Sequence, residues 1–85
     1  MSNKNQSNSA IAQVSRLLNY LLEHGSVSST YAREVLSCYH LKARILEIRQ
    51  RGYEIKLTWS VVTDSQGREH RVGVWLLTGL PQVAA

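Results

Sequence analysis

Cysteine is almost absent from this sequence: Cys38 stands alone among 85 residues. An internal disulfide is therefore excluded, and a reducing compartment, the cytoplasm, is the expected location. No run of about 18 apolar residues occurs, so no membrane-spanning helix is expected. The opening MSNKNQSNSA lacks the apolar stretch of a secretory signal. A glycine-rich phosphate loop is missing, and so is a carboxylate pair placed for acid–base work. His24, His40 and His70 lie far apart in the chain. Cys38 is close to His40, but no second cluster completes a zinc ligand set. Cys38 is expected instead to be a small buried hydrophobe in a turn between helices. The chain is thus expected to be no enzyme and to need no metal or cofactor. Acidic residues are also scarce: six Asp and Glu face ten Lys and Arg, a formal net charge of +4. That balance favours a polyanionic partner.

The chain is rich in apolar periodicity, and its length suits one domain. Residues 1–8 are polar and are expected to form a mobile tail. Over residues 10–24, Ile11, Val14, Leu17, Leu18, Leu21 and Leu22 make a broad apolar stripe at helical spacing. Ser9 serves as its N-cap and Gly25 as its stop. Ser26-Val27-Ser28 suits a short strand stub, and Ser28 or Ser29 caps a second helix. There Ala32, Val35 and Leu36 face inward, Tyr31 and Arg33 face solvent, and the end falls near Ser37-Cys38. A third helix opens at Tyr39. Its core face carries Leu41, Ile45 and Ile48. Tyr39, Ala43, Leu46 and Gln50 occupy the opposite face. Lys42 and Arg49 line one flank, and His40, Arg44, Glu47 and Arg51 the other. Gly52 closes the helix.

After Gly52 the period falls from helical to two. Tyr53, Ile55, Leu57, Trp59 and Val61 alternate with Glu54, Lys56, Thr58, Ser60 and Val62, which predicts a half-buried strand. Asp64-Ser65-Gln66-Gly67 is a turn. A return strand follows over residues 68–77, with Val72, Val74 and Leu76 opposed to Arg71, Gly73 and Trp75. Thr78-Gly79-Leu80-Pro81 breaks it, leaving residues 81–85 as a weakly structured tail. A hairpin is marginal alone, so this one must pack on the helices, with both tryptophans expected in that contact. The order predicts an α+β domain over residues 9–80. It is a winged helix: a three-helix helix-turn-helix core plus a C-terminal β-hairpin wing.

The same stretches resemble a known family. LLNYLLEHGSVSSTYAREVLS, KARILEIRQRGYEI, the tryptophan strand, DSQGREHRV and VWLL are similar to the small winged helix-turn-helix domains common in phage and prophage proteins. The resemblance spans residues 17–77. Its most specific parts are Ala32-Arg33, Ala43-Arg44-Ile45, Ile48-Arg49, Gly52-Tyr53 with Ile55, and the turn at residues 64–67. Trp75 stands where a tyrosine is usual, and Leu46 where a polar residue is usual. Membership implies nucleic-acid binding, and the chain is expected to bind double-stranded DNA as a small transcriptional regulator or an excision-type architectural factor.

A recognition helix puts its N-terminal residues near base edges. The candidates here are Tyr39, His40, Lys42 and Ala43. Lys42 can donate to guanine acceptors, His40 can donate or accept, and Ala43 can meet a thymine methyl. Arg44, Arg49 and Arg51, with Arg68, His70 and Arg71 beside the Gly67 turn, are candidates for phosphates. One such helix reads few base pairs, so a homodimer or tandem copies on DNA are expected. A second possibility is a winged helix recruited to bind a host protein, such as a phage-encoded inhibitor. Its contacts would be Tyr39 and Leu46, with Val62, Trp59 or Trp75 and the Val83-Ala84-Ala85 tail as further apolar surface.

Overall fold

In a computed structural model, residues 9–82 are described; the expected N-terminal tail and Val83-Ala84-Ala85 lie outside them. The elements run α1 (Ala10–His24), β1 (Ser26–Ser28), α2 (Ser29–Glu34), α3 (Leu41–Gln50), β2 (Glu54–Thr63) and β3 (Glu69–Gly79). The expected α+β winged helix is present. The Ser9 hydroxyl accepts from the Ala12 N–H at 3.2 Å, and left-handed Gly25 (φ 85°) closes α1. The buried side of α1 holds Gln13, Val14, Leu17 and Leu21. Ile11 and Leu22, expected in the core, are exposed. They sit roughly 100° around the helix from the Val14-Leu17-Leu21 line, beyond the single side on which the rest of the fold packs.

Ser28 caps α2, its hydroxyl accepting from the Tyr31 N–H at 3.0 Å. This helix stops at Glu34, earlier than the apolar pattern suggests, and Val35 is exposed while Tyr31 is half-buried. The chain reverses through Ser37, which takes a left-handed φ of 55°. The Cys38 N–H then donates to the Ala32 carbonyl at 2.9 Å, so the last turn is tied off without a glycine. Arg16 Nε of α1 donates to the Leu36 carbonyl at 2.7 Å and holds this turn in place. Cys38 is buried within the turn, and burial pushes its thiol pKa up.

Ile45 and Ile48 of α3 join Val14, Leu17, Leu21, Val27, Ala32, Cys38, Ile55 and Trp75 in one core. Gly52 ends α3 at φ 103°, and Pro81 crosses it so closely that an added Cβ would lie 3.0 Å from Pro81 Cβ. The chain after β3 therefore packs back on the end of α3 as far as Pro81.

The antiparallel sheet has the order β1-β3-β2, so β3 is central. Val27 pairs with Trp75, Leu57 with Trp75, and Trp59 with Gly73. Directly paired residues share a face, so Val27, Trp75, Leu57, Trp59 and Gly73 lie on the helix side. Of the alternating set on β2, only Ile55 is buried; Leu57, Trp59 and Val61 are exposed. The alternation is as expected, but the hairpin runs past the helical layer, which covers only its base. Trp75 meets the expectation of packing between hairpin and helices, whereas Trp59, 55% exposed, does not.

Candidate nucleic-acid interface

The third helix begins at Leu41, two residues later than Tyr39. His40 is its N-cap residue, with φ −113° and ψ 59°, and makes no side-chain capping bond. Its carbonyl accepts from the Arg44 N–H at 3.0 Å. The first N–H groups of α3 are thus left without a side-chain acceptor at the protein surface, the partly positive end of the helix. Tyr39 precedes the helix and is 59% exposed. Leu41 is half-buried toward the core, while Lys42 and Ala43 are exposed. Tyr39, His40, Lys42 and Ala43 line one open cleft of about 430 Å³ together with Ser29, Leu41 and Trp75. All four residues expected at base edges therefore line one cleft, to which the sheet contributes Trp75.

The arginines expected at phosphates divide into two groups. Arg44 is turned inward: its side chain is only 12% exposed, and Nη2 donates to Glu47 Oε2 at 3.0 Å. Its Nε lies 3.0 Å from Glu47 Oε1 but without hydrogen-bond alignment. Arg49 is engaged as well. Its Nε and Nη2 donate to the Ile55 carbonyl at 3.2 and 2.6 Å, and its guanidinium lies 5.7 Å from the Trp75 ring centre. It ties the end of α3 to the start of β2. Arg51 is exposed and forms no ion pair with the described residues.

At the wing tip, the Asp64 carboxylate organises the turn. Its Oδ1 accepts from the N–H groups of Gln66 and Arg68, both at 2.9 Å. The His70 imidazole contacts its Oδ2 at 2.8 Å, and Arg68 Nε approaches the same oxygen at 3.4 Å. These partners, His70 first, hold the Asp64 pKa below its ordinary value. Arg68 and His70 remain exposed but are directed back to Asp64. Arg71 lies over the Trp59 ring, 5.2 Å from its centre.

Exposed Arg33 and Lys56 were not anticipated as part of a charged surface, while Trp59 was expected at an exposed apolar surface only as one of two alternatives with Trp75. Arg33 and Lys56 carry no local pattern that separates a contacting cation from a solvated one. Trp59 was obscured by the alternation that places it on the core face. Among the described residues, no group of three or more His, Cys, Asp or Glu side chains is arranged for a metal, and no helix is long and apolar enough to cross a membrane.

No curated protein and no solved structure matches the chain. A family model described as winged helix-turn-helix domain matches residues 12–79, all of the described helices and strands but the first two residues of α1, and the chain accordingly belongs to the winged helix-turn-helix domain family.

Proposed function

We propose that this protein binds double-stranded DNA with the N-terminal end of α3 in the major groove and the wing on the flanking backbone. It acts without catalysis or cofactor, in the cytoplasm, as a small transcriptional regulator or excision-type architectural factor. The carrying observation is the cleft that gathers Tyr39, His40, Lys42 and Ala43 at a helix N-terminus without a side-chain cap. Lys42 and His40 supply donors for base edges. The free N–H groups suit a phosphate oxygen. The backbone contacts come from Arg51 and Arg71 rather than the inward-turned Arg44, with Arg68 and His70 at the tip, a reading supported by the exposure of these four side chains.

A salt titration of binding to random duplex tests this proposal. Affinity should fall steeply with salt, as counterion release requires; no measurable binding at low salt would overturn it. Against a selected duplex, the Lys42→Ala, His40→Ala double variant should lose about 1–3 kcal/mol while random-sequence binding persists. A protein partner is the second reading, favoured by the exposure of Tyr39 and Leu46 on α3 and just before it (59% and 53%). In that case Tyr39→Ala and Leu46→Glu would abolish capture of a host protein, and the Lys42, His40 variant would not.

A further inference from the structure

The wing holds an aromatic platform that the groove-reading helix does not account for. Trp59 is 55% exposed although it sits on the helix-facing side of β2. Its register partner is Gly73, which offers no side chain across the strands. The room over Gly73 is taken by its neighbours. A Cβ there would lie 3.0 Å from Ser29 Oγ, 3.2 Å from Leu57 Cδ1 and 3.6 Å from Trp59 Cζ3. Ser29 Oγ also donates to the Gly73 carbonyl at 3.1 Å, fixing the start of α2 against the strand. Ser29 in turn lines the cleft that holds Tyr39, His40 and Lys42. Trp59 does not line that cleft, but its ring and Ser29 both border Gly73, so the ring lies on the wing next to the cleft's Ser29 edge. Arg71 caps the ring, its guanidinium 5.2 Å from the ring centre.

A half-exposed indole with a guanidinium 5.2 Å from its ring centre has the chemistry of a nucleobase stacking site. Apolar surface alone would suit a protein, but a cation held over the ring is complementary to a polyanion whose bases carry π faces. Base pairs inside a continuous duplex are already stacked, so their faces are closed to Trp59. An exposed face occurs where stacking ends: at a duplex end, an unpaired nucleotide or a single-strand junction. We infer that Trp59, held with Arg71 on the wing, stacks on an unstacked base next to the duplex bound by α3, so that the protein prefers junction DNA over continuous duplex. This inference rests on the proposed DNA binding.

The test compares two probes of identical duplex sequence. One is a dumbbell whose duplex is closed at both ends by loops tethered beyond the footprint. The other carries a single-stranded oligothymidine overhang starting at the edge of the footprint. Wild type should bind the overhang probe more tightly. Trp59→Ala should lose about 5- to 150-fold on the overhang probe, the range expected from one stacked base, and little on the dumbbell. Trp59→Phe, which keeps an aromatic face, should retain most of the preference. Equal affinity of wild type for both probes overturns the inference and leaves the DNA-binding proposal standing. Equal loss on both probes for Trp59→Ala also overturns it, since that marks the tryptophan as an ordinary backbone or folding contact. Binding to neither probe at low salt overturns both proposals together, and the intact fold of each variant is checked by its thermal unfolding midpoint.

Discussion

Arg49 and Arg51 stand two apart at the end of α3, yet they play different parts. Arg49 reaches the Ile55 carbonyl with two donors and lies against Trp75, whereas Arg51 makes no ion pair with the described residues. Removing Arg49 leaves a carbonyl without its charged partner and uncovers the face of a core tryptophan. Arg49→Ala should therefore cost about 1–2 kcal/mol of folding stability, after discounting for the exposure of the guanidinium. Arg51→Ala should leave stability within about 0.5 kcal/mol and reduce the salt slope of DNA binding by about one. Denaturant unfolding and salt-titrated binding of the two variants decide it; an Arg49 variant as stable as wild type removes the clamp. A helical wheel gives the direction of a side chain but not the carbonyl or carboxylate within its reach. That is why Arg44, Arg49 and Arg51 look alike in the sequence, and why the inward turn of Arg44 onto Glu47 is not legible there.

The wing shows the same limit for a whole element. Its turn is legible because each residue has a local role. Asp64 accepts backbone N–H groups two and four residues on, and Gly67 takes a left-handed φ of 84°. The alternation is legible too, but how far the helices extend over the strand is a property of the assembled fold. Leu57, Trp59 and Val61 follow the core pattern and yet lie beyond the cover. The end of α2 is hidden for a related reason: Ser37 takes a left-handed conformation usually signalled by glycine. The carboxylate at the wing tip makes a pH prediction. His70 and the Arg68 and Gln66 N–H groups all favour its ionised form, so its folded pKa lies below the unfolded one. The stabilisation is then complete above the unfolded value near pH 4 and is lost as pH falls through the lower folded value. The amide resonances of Gln66 and Arg68 should shift with a midpoint below about pH 4, and Asp64→Asn should remove the transition. A midpoint at or above the ordinary carboxylate value would show that these hydrogen bonds do not hold the tip.

At the scale of the molecule, the question is how one small domain reads enough DNA to be selective. In the proposed binding mode the cleft and the first turn of α3 would form a narrow reading surface, since one helix of this kind spans only a few base pairs. Under the proposed function a second copy would add the rest, either by pairing in solution or by loading beside the first on DNA. Leu46 separates these routes. It lies one turn beyond Lys42 on the outward side of α3 and is 53% exposed, so the surface it belongs to can serve a groove or a second chain but not both at once. If α3 faces the groove, the free protein should sediment as a monomer. It should load as one chain on a single half-site and as two on half-sites about 10–10.5 base pairs apart. Leu46→Gln, which removes the apolar end without adding a charge, should weaken each single-site contact and leave the sedimentation of the free protein unchanged. The opposite pattern, a dimer in solution that Leu46→Gln splits into monomers, would make this face of α3 a protein interface. Base reading by Lys42 and His40 would then fail with it, because both line one cleft together with Tyr39.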